Sequence, residues 1–442
     1  MGQIVGIQGV LLCLLLASLS VVTPQVSSQG GQESYTEHAP IRLTGDTSLL
    51  LPDIVTGNGV VSGTGGSGDP YVIKGWRIGF DPATGPALSL RGITAHVLIE
   101  DLLLEYRGSP DSVDIRGWGF SILDSTNVTL SRVRVVGDYE ASRVEGASTV
   151  TLKELHFEDS RLHITGSTVE ITDHTSVGPN AGLSCFSCAL AIDGAEFDGY
   201  AYESRGGFST PIIYAGPLPG VEMEARPIMM EDILVRGAPS TAIRLISTPA
   251  DLRDIHIDRS GGALDVTGGV VRVEGLRVTN PHAFTAAVGA DGANFRLVNA
   301  AITSESPLTL IDSEAFIERV FLDESRYGLR VVQRPFAPPF QVTVRESSFT
   351  NIRDEALITE GLTIPVDARE NWWGSPEGPV VDGQEGPRAG IVGNIVYTPW
   401  LTVPPQGAPE SRMTTPSIPG FGLAALPGLV LAAMLLRHRP DA

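Results

Sequence analysis

The stretch VRVEGLRV, residues 271–278, alternates apolar and polar residues as a half-buried strand does, then slips by one residue at Glu274-Gly275. In a flat sheet that slip sends Leu276 and Val278 to the face opposite Val271 and Val273. The slip is not a lone fault. Apolar residues at i, i+2, i+5 and i+7 recur in copies starting at Val97, Val128, Val150, Val169, Leu190, Ile228, Ala250, Val271, Phe295, Ala315, Val342 and Val366. Of the 48 inward slots in these copies, 44 are apolar, and the intervals between copies run from 19 to 38 residues, most of them near 22. A fault repeated at that period is a structural unit: each copy turns a corner at i+4 and keeps one interior. The corner residues are Asp101, Arg132, Glu154, Asp173, Gly194, Asp232, Asp254, Gly275, Asn299, Arg319, Glu346 and Glu370. None is apolar, and the Gly, Asn and Asp among them tolerate left-handed backbone angles.

A repeat of this length without helical periodicity is the mark of a coil in a parallel β-helix. A third apolar strand precedes the pattern at 88–90, 120–122, 162–164, 264–266 and 308–310. The expected fold is therefore all-β: a single-stranded, right-handed parallel β-helix of about 12–13 coils over residues 55–401. Two long insertions interrupt the period, GYAYESRGGFSTPIIYAGPLPGVEMEARP before Ile228 and YGLRVVQRPFAPPFQ before Val342. Loops off a solenoid are where binding usually sits. Tyr200, Tyr202, Phe208 and Tyr214 of the first insertion are candidates to stack on sugar rings, or to hold the insertion against the wall.

The ends read as something other than fold. Residues 1–28 are expected to be a signal peptide, its helix centred on the apolar run from Val10 to Val22, although no Lys or Arg precedes that run. Residues 29–54 form a lead, 402–417 a Pro/Thr/Ser linker, and 418–442 a hydrophobic helical segment ending in the basic tail RHRPDA. From Phe421 to Leu436 there are sixteen residues, about 24 Å of helix against a hydrocarbon core of roughly 30 Å. One reading is a short membrane anchor. Acidic residues outnumber basic ones 51 to 31, which argues against nucleic acid as a partner.

Three segments carry a resemblance. GTGGSGDPYVIKGWRI at 63–78 opens the repeat region, ENWWGSPEGPV follows the last copy, and GNIVYTPWL ends it. Together they resemble the parallel β-helix family of NosD-like and pectate-lyase-like surface proteins. That resemblance implies that Asn371, Trp372, Trp373, Gly374 and Trp400 close the helix, and it implies little about activity. Pro419-Gly420-Phe421, followed by an apolar run and arginines, resembles the PGF-CTERM sorting signal of archaeal surface proteins. This implies an archaeosortase as processing partner, with attachment to membrane lipid in place of the tail. Localisation is then extracellular, at the cell surface.

The function expected on these grounds is non-enzymatic: envelope structure, adhesion or glycan binding, with glycans or other envelope proteins as partners and no cofactor. The alternative is a polysaccharide lyase or hydrolase. A hydrolase needs two carboxylates roughly 5–9.5 Å apart, and Glu231, Asp232 and Asp254 on neighbouring coils offer such a pair, although solvated acids belong at corners anyway. An enzyme should show a long groove with convergent carboxylates or arginines on adjacent coils, a binding module only scattered charge. A third reading, copper-site assembly, follows from the NosD resemblance. His156 and His256 lie about five coils apart, His163 lies on another strand, and Met223, Met229 and Met230 suit soft Cu(I), yet Met230 is an inward slot. No resident metal is expected. Cys185 and Cys188 form either a local disulfide or a buried small residue plus a turn cysteine. Asn127-Val128-Thr129 is the sole N-glycosylation sequon.

Overall fold

The computed structural model describes residues 35–50, 57–81, 83–108, 118–137, 142–199, 211–218, 226–280, 286–381 and 389–406. The signal peptide, most of the linker, the C-terminal segment with Pro419, Gly420 and Phe421, and the residues Tyr200, Tyr202, Phe208 and Met223 lie outside them.

The chain winds as an all-β parallel β-helix. Each coil contributes one long bent strand to a 19-stranded sheet and one short strand to a 15-stranded sheet. The repeat maps onto the long strands residue for residue. Val97–Tyr106 pairs in parallel with Val128–Val136, and Ala250–Asp258 pairs with Val270–Asn280, each copy in register with the next. The third strands all belong to the second sheet, as in Gly262–Thr267 beside Thr241–Ile246. A five-residue 3-10 turn, Asp46–Leu50, is the sole helical element among the described residues.

The corner is real and it is left-handed. Every one of the residues named at i+4 has positive φ, from 48° at Asp254 to 76° at Gly275. One such residue per strand reverses the alternation, so Val271 and Leu276 both face the core at 0 % and 1 % exposure. Arginine and glutamate were not among the types expected to tolerate this backbone, which costs non-glycine residues about 1–2 kcal/mol. Charge pairing between corners offsets part of the cost for the arginines. Arg132 Nε donates to the corner carboxylate Asp101 of the coil before at 2.6 Å, and Arg319 Nε donates to the corner amide oxygen of Asn299 at 2.6 Å. Two further left-handed bends complete a coil, for example Arg259 and Gly268 after Asp254.

Buried serines follow many of those later bends and satisfy backbone groups that the sheets leave open. Ser125 N donates to Ser148 Oγ of the next coil at 3.0 Å, and Ala293 N donates to Ser313 Oγ at 3.1 Å. The four inward slots that are not apolar, His174, Ser176, Ser347 and Asn371, are likewise buried. Asn371 Nδ2 donates to the carbonyls of Val344 and Ala368 at 2.7 and 2.8 Å, and its Oδ1 accepts from Ser347 N at 2.9 Å. Ser176 Oγ accepts from Gly182 N at 3.2 Å. Pairing makes Ser176, Ser347 and Asn371 tolerable in an apolar core.

The solenoid starts earlier than residue 55. Thr36–His38 pairs in parallel with Trp76–Ile78, and Ile41–Thr44 pairs with Leu88–Arg91, so much of the expected lead is a first partial coil. The physical reason is that Ile41 and Leu43 alternate with polar residues and are buried in the common core. YVIKGWRI proves to be one more copy of the repeat, with Gly75 at its corner at φ 75°. Leu49 of the 3-10 turn joins the core, and the Asn58 side chain donates to its carbonyl at 2.9 Å. In the glycine-rich turn before it, Gly63 has φ 97°, and a Cβ there would lie 1.8 Å from the Pro70 carbonyl oxygen.

At the other end Trp373 is fully buried and stacks on Phe349 with centroids 4.8 Å apart. Trp372 is nearly buried, Gly374 turns the chain at φ 77°, and Trp400 Nε1 donates to the Pro376 carbonyl at 3.1 Å. Ile395–Val396 pairs with Val366–Asp367 as a further rung, and the Tyr397 to Trp400 segment follows it outside any strand.

The corner makes a sharp prediction. At Gly275 a Cβ would lie 2.5 Å from Asp254 Oδ1, so Gly275→Val should cost about 1–3 kcal/mol. Glu154→Gly, at an equivalent corner, should stay within about 1 kcal/mol of the parent. Thermal unfolding of both variants checks this; equal midpoints would contradict a left-handed corner at 275.

Candidate functional site

The outer face of the second sheet carries aromatic and cationic side chains on adjacent coils. Inward Val144, Ile164, Cys185, Ala215, Leu245 and Val266 alternate with outward Arg143, His163, Ser184, Tyr214, Arg244 and Asp265, one per coil in register. Tyr214 thus belongs to the wall strand Ile213–Gly216, not to a projecting insertion. The reason is local: Ile213 and Ala215 fill inward slots and turn the tyrosine between them outward. Its ring lies 5.1 Å from Phe186, and Phe186 stacks with His163 at 6.4 Å. At the near end Arg143 lies over the Trp118 ring at 3.9 Å.

Burial, followed by the nearby Arg161 and Arg143, pulls the His163 pKa down to about 4, so the ring is neutral at physiological pH. Burial also lowers Arg161, to about 10, and its guanidinium donates to Ser184 Oγ and the Pro211 carbonyl, tying successive coils together. The chemistry on offer is a row of ring faces flanked by planar hydrogen-bond donors, which is what a pyranose with one apolar face needs.

The other residues singled out from sequence fall in separate places. Asp232 and Asp254 are left-handed corner residues at φ 52° and 48° on adjacent coils, with Glu231 exposed beside them. Asp232 is raised by burial and then by the charges of Asp254 and Asp193. Asn127 is exposed in a left-handed bend, and its Nδ2, the atom a glycan would join, donates to the Thr94 carbonyl at 2.8 Å. Cys185 and Cys188 are bonded to each other and both are buried. Cys188 therefore sits inside the wall, in the column that serine fills at 148 and 167, and not on an exposed turn.

Met230 is buried in its inward slot while Met229 points out. His156 and His256 share one register column through Thr175, Glu196 and Leu234, four strand spacings or about 19 Å apart. Among the described residues no three His, Cys, Asp or Glu side chains converge as metal ligands.

The arginines are mostly paired with acids, many across a coil step, as in Arg244 with Asp265 and Arg330 with Glu360. A different group converges. Arg253, Arg272, Arg296 and Arg319 line one groove on the first sheet across successive coils. The repeat held the signal for part of this, since Arg272 and Arg296 occupy the same i+1 slot of consecutive copies.

Comparison with protein-family models, with curated proteins and with solved structures finds no match to this chain.

One buried titratable group stands apart from the surface. His174 fills an inward slot between the edges of Phe157 and Phe197 at 5.2 and 5.4 Å. Among the described residues neither ring nitrogen has a hydrogen-bond partner; the nearby Leu155 backbone does not meet that geometry. Burial, with a smaller push from His156, lowers its pKa from 6.5 to about 3. The folded state thus holds a neutral ring that the unfolded chain protonates below pH 6.5. Stability is complete above that pH and declines as pH falls toward 3, by up to about 1.4 kcal/mol per unit from this group. In His174→Leu, urea unfolding between pH 7 and 4 should show a shallower decline; an unchanged slope would assign the acid sensitivity elsewhere.

Proposed function

We propose that this chain is an exported cell-surface protein whose work is non-enzymatic, and that it binds glycan on the outer face of its second sheet. Envelope structure and adhesion are the roles that fit such a module. The observation that carries the reading is the His163, Phe186 and Tyr214 row on adjacent coils, with Arg143 and Trp118 at one end. Export rests on the apolar run from Val10 to Val22, and surface attachment on Pro419-Gly420-Phe421 and the segment that follows. Within this reading the chain is NosD-like in kind, an archaeosortase removes the tail, and membrane contact is made through lipid or the apolar segment itself. Its other partners are glycans or envelope proteins, not nucleic acid.

A second reading, a polysaccharide-active enzyme on the same scaffold, is favoured by one observation: arginines converge on adjacent coils in a single groove. A copper-site accessory role has no comparable support.

A glycan array probed with the purified protein, run beside an assay for newly released reducing ends or unsaturated products, separates these readings. The expected result is sugar binding without product, weakened about tenfold in Tyr214→Ala, the loss of one good stacking contact. Binding that survives Tyr214→Ala, Phe186→Ala and the double variant would remove the second-sheet site, and product release would establish the enzyme.

A further inference from the structure

On the first sheet the i+1 column runs Asp251, Arg272, Arg296, Phe316, and the i+3 column beside it runs Arg253, Glu274, Val298, Glu318, all in unbroken register. Between them lies an open groove of about 480 Å³ lined by Arg253, Arg272, Arg296, Arg319, Val298 and the acids Asp251 and Glu274. Its size is that of a small-ligand site.

The carboxylates in and beside the groove are engaged. Arg253 holds Asp251 with two hydrogen bonds at 3.2 and 3.0 Å. Glu318 is shared by Arg296 at 3.6 Å and Arg319 at 3.5 Å, and Glu274 accepts from Asn299 at 3.5 Å. Arg272 is exposed and has no hydrogen-bond or ion-pair partner among the described residues. An exposed arginine alone would mean nothing. This one is stacked one strand spacing, about 4.8 Å, from Arg296 in the same column, an arrangement that repels unless an anion lies between or across the pair. Four arginines balance Asp251, Glu274, Glu318 and Glu346, the last 3.8 Å from Arg319, so the strip is locally neutral on a chain of net charge −20. The floor is partly apolar, since Val298 is outward yet only 6 % exposed, and beside the groove the Arg296 guanidinium covers the Phe316 ring at 4.6 Å.

We infer that this groove is a binding site for an acidic polysaccharide, its carboxylate or sulfate groups received by Arg272 and Arg296 above the apolar Val298 floor. A polymer fits better than a single anion because the cations repeat coil by coil along the axis, as the charges of such a chain do. Planar guanidinium forks suit both carboxylate and sulfate oxygens. The net acidity of the chain opposes a polyanion elsewhere on its surface, so binding is confined to this strip. The site is separate from the Tyr214 face and stands whether or not that face binds sugar.

The test uses the full-length protein and four probes: polygalacturonate, dextran sulfate, neutral dextran and double-stranded DNA. Calorimetry should show binding to one or both acidic polysaccharides that weakens with added salt, with the tighter of the two identifying carboxylate or sulfate as the preferred group. Arg272→Ala and Arg296→Ala should each weaken it about tenfold, the loss of one charge-assisted contact. Arg244→Ala, on the other sheet, and Tyr214→Ala should not change it. Matching circular dichroism spectra and unfolding midpoints for all variants keep the comparison fair. Equal affinity for neutral dextran, binding to DNA as tight as to the polysaccharides, no binding to either acidic polymer, or groove variants indistinguishable from the parent would each overturn the inference.

Discussion

One residue per strand in a left-handed conformation governs this molecule. A strand shows alternate side chains to alternate faces, so a chain that bends toward its own interior must skip one position or bury its polar half. At Asp101, Asp254, Gly275 and their equivalents the skip is made by a residue with φ near 50–75°. The apolar slots on both sides of the bend then meet one axis, and coil after coil adds to one continuous core. Without the bend there is no common interior. The acids at these corners are explained by it as well: Asp232 and Asp254 are there because the backbone needs residues that accept this angle in water, which weakens any case for them as a catalytic pair.

The same geometry organises everything polar. Equivalent slots of consecutive coils lie one strand spacing apart, so a side chain finds its partner not along its own strand but above or below it. Arg132 meets Asp101, Arg319 meets Asn299, and Ser125 meets Ser148 by that rule. Inside the wall these columns supply hydrogen bonds that let Asn371 and Ser347 be buried without penalty. His174 has no such neighbour, since Leu155 and Ala195 flank its column, and it is retained neutral between aromatic edges. Because a solenoid coil contacts only its neighbours, an imperfect slot weakens its own coil and leaves distant ones intact.

Columns also turn single residues into surfaces. A histidine and a tyrosine of one column, with a phenylalanine two residues along the strand between them, become one aromatic row although they are 23 to 51 residues apart in sequence. Two arginines in consecutive copies become a paired cationic site whose neighbouring acids are already occupied. The two faces differ in chemistry, aromatic rings flanked by single arginines on one, guanidinium forks over a partly apolar floor on the other. These two faces support the proposal that sugar chains are held along the stack.

The coil, its inward residues and the twelve corners from Asp101 to Glu370 were readable from the chain alone, because period-two alternation with a skip is a local property of eight consecutive residues. The burial of Trp373 was readable for the same reason, as an inward slot of the last copy. Other things belonged to the tertiary structure. Residues 36–44 carry too short an alternation to announce themselves, and only pairing with Trp76–Ile78 and Leu88–Arg91 makes them a coil. Tyr214 sits in a stretch whose period an insertion had broken, so its place on the wall depended on which neighbour Ile213 and Ala215 packed against. Which arginine finds a carboxylate and which is left to face solvent is a matter of contacts between coils some twenty residues apart. Alternation sets which way a side chain points; stacking alone decides what it meets there.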